Sequence, residues 1–108
     1  MAEGGGSLMT RELDAGIATL LGWTDAGSGW WWTPAQGIRI PHYSSDLNVL
    51  MSLIRERWPK ARCLLDPAGT FLWPKGYGIS LFYHGKGATD TERLANAVVA
   101  ALRAEAKP

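Results

Sequence analysis

The sequence predicts an α+β domain: a mostly antiparallel sheet of four or five strands flanked by three helices, in the order α-β-β-α-β-β-β-α, an α/β/α-type sandwich. Three observations predict it. Apolar residues recur at helical spacing in three separate stretches. Between them lie short runs rich in Trp, Ile, Tyr and Phe, residue types that favour strands. Several of those runs follow one another directly, which favours antiparallel pairing.

Each element has its own warrant. Leu13, Ile17, Leu20 and Leu21 form the first apolar stripe, with Thr10 as its expected cap and Gly22 as its stop. Residues 25–29 read as a loop from their Asp, Gly and Ser content. Strands are expected at 29–33, closed by Pro34, and at 37–40, closed by Pro41. In the first, Trp30 and Trp32 share one face and Trp31 takes the other, because successive side chains of a strand point to opposite sides. The second helix takes Ser44 or Ser45 as cap and Asp46 in its first turn. Leu47, Leu50, Met51, Ile54 and Trp58 make its buried stripe, and Pro59 stops it. A strand at 61–66 turns through Asp66, Pro67, Ala68 and Gly69 into a hairpin partner at 70–73. The longest strand is expected at 77–84. There Ile79, Leu81 and Tyr83 share one face, and Gly78, Ser80, Phe82 and His84 the other. Thr89, Asp90, Thr91 and Glu92 form a capping box that opens a last helix over 90–104, with Leu94, Val98, Ala101 and Leu102 inward.

Composition bounds the function. Residues 1–8 read as a flexible, Gly-rich N-terminal extension, and 9–108 as a single domain. A net charge of +1 with scattered signs gives no footprint for tracking a phosphate backbone, so non-specific nucleic-acid binding is not expected. The one cysteine, Cys63, cannot form an internal disulfide, which suits a reducing compartment. No apolar run approaches the ~20 residues that span a bilayer, so no membrane partner is expected, and the first residues do not read as a signal peptide.

Leu20-Leu21-Gly22-Trp23, the Trp-rich strand closing on Thr33-Pro34, Pro41-His42-Tyr43-Ser44-Ser45-Asp46 before a helix, and the Ala-rich run from Ala95 to Leu102 stand in a fixed order and spacing. In that order and spacing they resemble the phage ABA sandwich domain, a group of small phage and prophage proteins. Together they cover roughly residues 9–104. Ser45 departs from the threonine usual in that run, and the second helix is richer in Leu and Met than the family pattern. The resemblance implies a viral or prophage origin, a three-layered α/β arrangement and the cytoplasm of an infected bacterial host. It implies no established activity.

The candidate site residues fall into three groups. Trp30, Trp31 and Trp32, with Arg39 nearby, form an aromatic surplus suited to stacking on a nucleotide-like ligand; Trp73, Tyr77 and Tyr83 extend that aromatic group. His42, Tyr43, Ser44, Ser45 and Asp46 precede a helix, where spare amides and hydroxyls bind a ligand or simply cap the helix. His84 and Lys86 flank a Gly-rich connection to the last helix, the ordinary place for a solvated strand-to-helix loop. No catalytic set, metal ligands or cofactor motif is recognised: two histidines and one cysteine lack metal-ligand spacing, and no nucleophile elbow is present. The function expected is a non-catalytic phage accessory protein that binds a nucleotide-like signal or blocks a bacterial host protein. A ligand-free homo-oligomer joined through the Trp strand, and a small hydrolase or nuclease using His42, Asp46 or His84, are the alternatives.

Overall fold

The computed structural model describes residues 2–77 and 81–106, with side chains from Arg11 onward. The elements are α1 (Ala2–Leu20), β1 (Thr24–Gly27), β2 (Trp30–Trp32), β3 (Gly37–Arg39), α2 (Leu47–Arg57), β4 (Arg62–Asp66), β5 (Gly69–Trp73), β6 (Tyr83–Gly85) and α3 (Asp90–Ala106). The α+β class and the three helices match the sequence reading. The single sheet does not. There are two three-stranded antiparallel sheets, β1-β2-β3 and β4-β5-β6. Each is a meander, with short turns joining β1 to β2, β2 to β3 and β4 to β5, and α2 intervenes between the two sheets in the chain.

The packing order is also different from an α/β/α sandwich. The β1-β2-β3 sheet rests on α1, where Trp31 and Ile40 bury against Ala18. The β4-β5-β6 sheet rests on α3, and α1 and α2 both pack against α3. Helices therefore lie between the two sheets. The main core joins Ile17, Leu50, Leu53, Ile54, Trp58 and Leu72 to the inward residues of α3. Alanines at 95, 97 and 101 are buried there, and their small side chains let neighbouring elements come close to the helix.

Local chemistry sets most element ends. Helical backbone begins at Ala2, so Thr10 is interior and not a cap, and residues 2–8, expected to be an extension, continue the helix. Extending a helix that is already nucleated is far cheaper than starting one. The expected loop at 25–29 instead supplies an extra strand, β1. Ser28 and Gly29 both take positive φ in a two-residue turn, the geometry whose twist suits a tight hairpin. Asp46 caps α2, accepting from the amides of Asn48 at 3.1 Å and Val49 at 3.3 Å, whereas Ser44 is drawn away to Asp14. The turn at Pro67 and Ala68 closes as predicted, pairing Asp66 with Gly69. The long strand expected at 77–84 is reduced to Tyr83–Gly85; Tyr77, Leu81 and Phe82 lie outside it, and residues 78–80 are outside the described residues. Thr89 Oγ1 accepts from the Glu92 amide at 3.1 Å, while Glu92 Oε1 reaches the Ala88 amide at 2.5 Å, a capping box displaced by one residue. Glu105 ties α3 to the end of α2, taking the Arg57 guanidinium at 3.0 Å and the Trp58 indole N–H at 2.5 Å.

Candidate functional site

The three consecutive indoles divide as the strand alternation requires. Trp31 is 6% exposed and belongs to the core, so it is not available to a ligand. Trp30 and Trp32 stand on the outer face, 42% and 59% exposed. β2 is the central strand of its sheet, paired to β1 on one side and β3 on the other. It therefore cannot extend the sheet by pairing; its outer face can only be covered.

That face has a defined chemistry. Arg39 is the cross-strand neighbour of Trp30, and its guanidinium carbon lies 5.0 Å from the centre of the Trp30 ring, within the range of a cation–π contact. Trp32 is paired with Gly37. A Cβ placed on Gly37 would meet the Trp32 ring at 3.0 Å, so the indole lies against the bare glycine backbone. One side of this ring is backed by protein and more than half of its surface is open to water. Gly29, in the turn beside Trp30, has the guanidinium groups of both Arg11 and Arg39 near it, each 3.8 Å from where its Cβ would stand. Two cations and two indoles thus share one end of the molecule.

The other predicted site residues are scattered. Tyr43 is buried, its ring 6.4 Å from Trp23, and burial pushes its hydroxyl pKa up to about 12. Ser44 is buried too, its amide donating to Asp14 Oδ1 at 2.7 Å. His42 and Ser45 are exposed in the connection before α2, and the His42 carbonyl accepts from the amides of Ser45 and Asp46. Asp46 spends its carboxylate on the helix cap. Tyr83 points to the inner face of its sheet, packed on the core. His84 stands on the outer face of that same sheet, 4.8 Å from Phe71 and directly over Gly69. Lys86 is exposed, and its carbonyl is held by Asn96 Nδ2 at 2.7 Å. His42 and Asp46 share the turn before α2, whereas His84 stands on the β4-β5-β6 sheet, and the Asp46 carboxylate is already engaged in the helix cap. Among the described residues no three His, Cys, Asp or Glu side chains are placed to hold a metal ion. Burial pushes the Cys63 thiol pKa up.

A second aromatic face was only half visible in the sequence. On the outer side of β4-β5-β6, Phe71 and Trp73 are joined by Phe82 and Tyr77, with ring centres 4.8–6.0 Å apart, and by Leu64, the cross-strand neighbour of Phe71. The signal was the 66–69 turn. Its two-residue loop dictates that Leu64 faces Phe71 and Arg62 faces Trp73.

No family model, curated protein or solved structure matches this chain. Among the described residues no helix is long and apolar enough to cross a membrane.

Proposed function

We propose that this chain is a non-catalytic, phage-encoded binding protein that takes a planar, anionic, nucleotide-like ligand on the Trp30–Trp32–Arg39 face. The observation that carries this reading is the Trp32 indole, backed by Gly37 on one side and 59% exposed. A ring held in that way has little rotamer freedom left to lose when a base stacks on it. Each base–aromatic stack is worth about 1–3 kcal/mol, and Arg39 and Arg11 supply the positive charge that a phosphate requires. Two stacks with one or two charge contacts correspond to a Kd on the order of 10–1000 µM for a mononucleotide. The phage origin, the site of action in an infected bacterium and the role of sequestering a host signal rest on the motif resemblance alone.

Isothermal titration with mononucleotides and cyclic dinucleotides tests the reading, with tryptophan fluorescence as a second readout. Binding is expected for the native chain, with a loss of about five- to 150-fold on Trp32→Ala, since losing one stack removes about 1–3 kcal/mol, and a loss on Arg39→Ala as well. Trp32→Ala should leave the melting temperature nearly unchanged, whereas Trp31→Ala should destabilise the fold by about 3–5 kcal/mol. Absence of binding across the panel, together with capture of a bacterial protein by this face, would replace the nucleotide with a protein partner.

A further inference from the structure

We infer that β4 is a dimerisation edge: two copies of this chain pair β4 with β4 across a two-fold axis, joining their sheets into one of six strands. β4 is a terminal strand of its sheet. Leu64 and Leu65 point to opposite faces of it and are nevertheless both exposed, at 46% and 37%. An edge with apolar side chains on both faces is one that other chains pair with unless it is covered.

The sequence of the strand names the occupant. Arg62-Cys63-Leu64-Leu65-Asp66 is self-complementary when run antiparallel about Leu64. Leu64 then meets Leu64 of the other copy on the two-fold axis, Cys63 meets Leu65, and Arg62 meets Asp66 at both ends. Every charge finds its opposite, and the interface is isologous as a two-fold requires. Centring on Leu65 removes both ion pairs, and centring on Cys63 sets Arg62 against Leu64 and leaves Asp66 only Lys60, which lies outside the strand.

Backbone parity agrees. Asp66 and Gly69 close a two-residue loop, so they form a hydrogen-bonded pair. Arg62, Leu64 and Asp66 therefore turn their N–H and C=O groups toward β5, while Cys63 and Leu65 turn theirs toward the free edge. The register centred on Leu64 sets Cys63 opposite Leu65, the two residues with outward groups. Pro67, which has no N–H, ends the ladder.

The inner face offers a receptacle. Beside the β4 edge lies a groove of about 450 Å³ with a mixed lining, in which Met51, Ile54, Trp58 and Cys63 stand beside Arg55 and Arg62. Leu65 of the second copy, set opposite Cys63 on that face, enters the groove. By symmetry the first copy's Leu65 fills the other. Leu65 thus gains the cover that its own subunit leaves incomplete.

Sedimentation equilibrium and a cysteine cross-link test the dimer and its register. The native chain should be a dimer. Arg62→Glu, which sets like charges opposite each other twice, should raise the dissociation constant by about tenfold or more, and Arg62→Lys should not. In a Cys63→Ser background, Leu64→Cys places two thiols on the axis in a non-hydrogen-bonded pair, within disulfide reach, so mild oxidation should give a covalent dimer. Leu65→Cys in the same background places its two thiols beyond that reach and should remain unlinked. A native chain that is monomeric at its highest soluble concentration would overturn the proposal. So would a dimer indifferent to Arg62→Glu while circular dichroism shows the variant folded, or cross-linking at 65 in preference to 64. Nucleotide binding by the Trp30–Trp32 face is measured separately and does not bear on these outcomes.

Discussion

Asp14 shows how one side chain of α1 organises a distant segment. It is buried, and its carboxylate accepts the Ser44 amide, which docks the connection before α2 onto the first helix. Burial raises its pKa above the usual 3.8, against the bonds from Ser44 and the charges of His42 and Arg11, which pull it down. An acid whose folded pKa is raised favours folding fully below 3.8. That contribution is lost as pH climbs from 3.8 through the raised folded value, and it is flat above it. Urea titrations on either side of that window should therefore show the native chain losing stability relative to Asp14→Asn as pH rises. Asn keeps the acceptor for Ser44 and removes the charge. Asp14→Ala, which leaves a buried amide without a partner, should be weaker than Asp14→Asn at every pH, by about 1–3 kcal/mol.

At the level of elements, the contact between β6 and α3 is the tightest in the fold. A Cβ on Gly85 would lie 1.8 Å from the Arg93 carbonyl oxygen and 2.6 Å from the Ala97 amide nitrogen. Those are helix backbone atoms and cannot swing aside. Gly85→Ala must push the sheet off the helix, and chemical denaturation should report a loss of about 3 kcal/mol. Gly37→Ala meets only an indole at 3.0 Å, so its effect should fall on Trp32 and on ligand binding. Helix and hairpin positions were readable from spacing: the α2 stripe, the stop at Pro59 and the pairing of β4 with β5 all follow from local residues. β1 was not readable, because all four of its residues are exposed and it carries no apolar alternation. Its pairing partner, the Trp strand, holds it in place.

Across the whole molecule, α3 is the element on which the others converge. It carries seven buried residues from Leu94 to Leu102 and touches α1, α2 and the β4-β5-β6 sheet. Native-state hydrogen exchange should find the slowest amides between Leu94 and Leu102, exchanging at the global unfolding free energy. Amides of β1, whose four residues are all exposed, should exchange fastest among the strands. Faster exchange in α3 than in α1 would contradict this ranking. The two aromatic faces lie on different sheets, each turned away from the helix that supports it. One is suited to a small planar ligand, while the edge of the other is suited to a second copy.

Periodicity and turn chemistry, which act over a few residues, were enough to identify the α+β class, all three helices, the Trp strand and the split of its indoles between two faces; that this strand is central came only from the pairing of β1 and β3 on either side of it. Those features depend on bond geometry and on where water is excluded along one segment. The division into two sheets, the placement of helices between them and the burial of Tyr43 and Ser44 depend on which distant surfaces meet, and nothing local encodes that. The platform under Trp32 is a case in point. Gly37 was expected only as the first residue of a short strand, and it became part of a site because pairing set it opposite an indole that lies on a surface without a side chain.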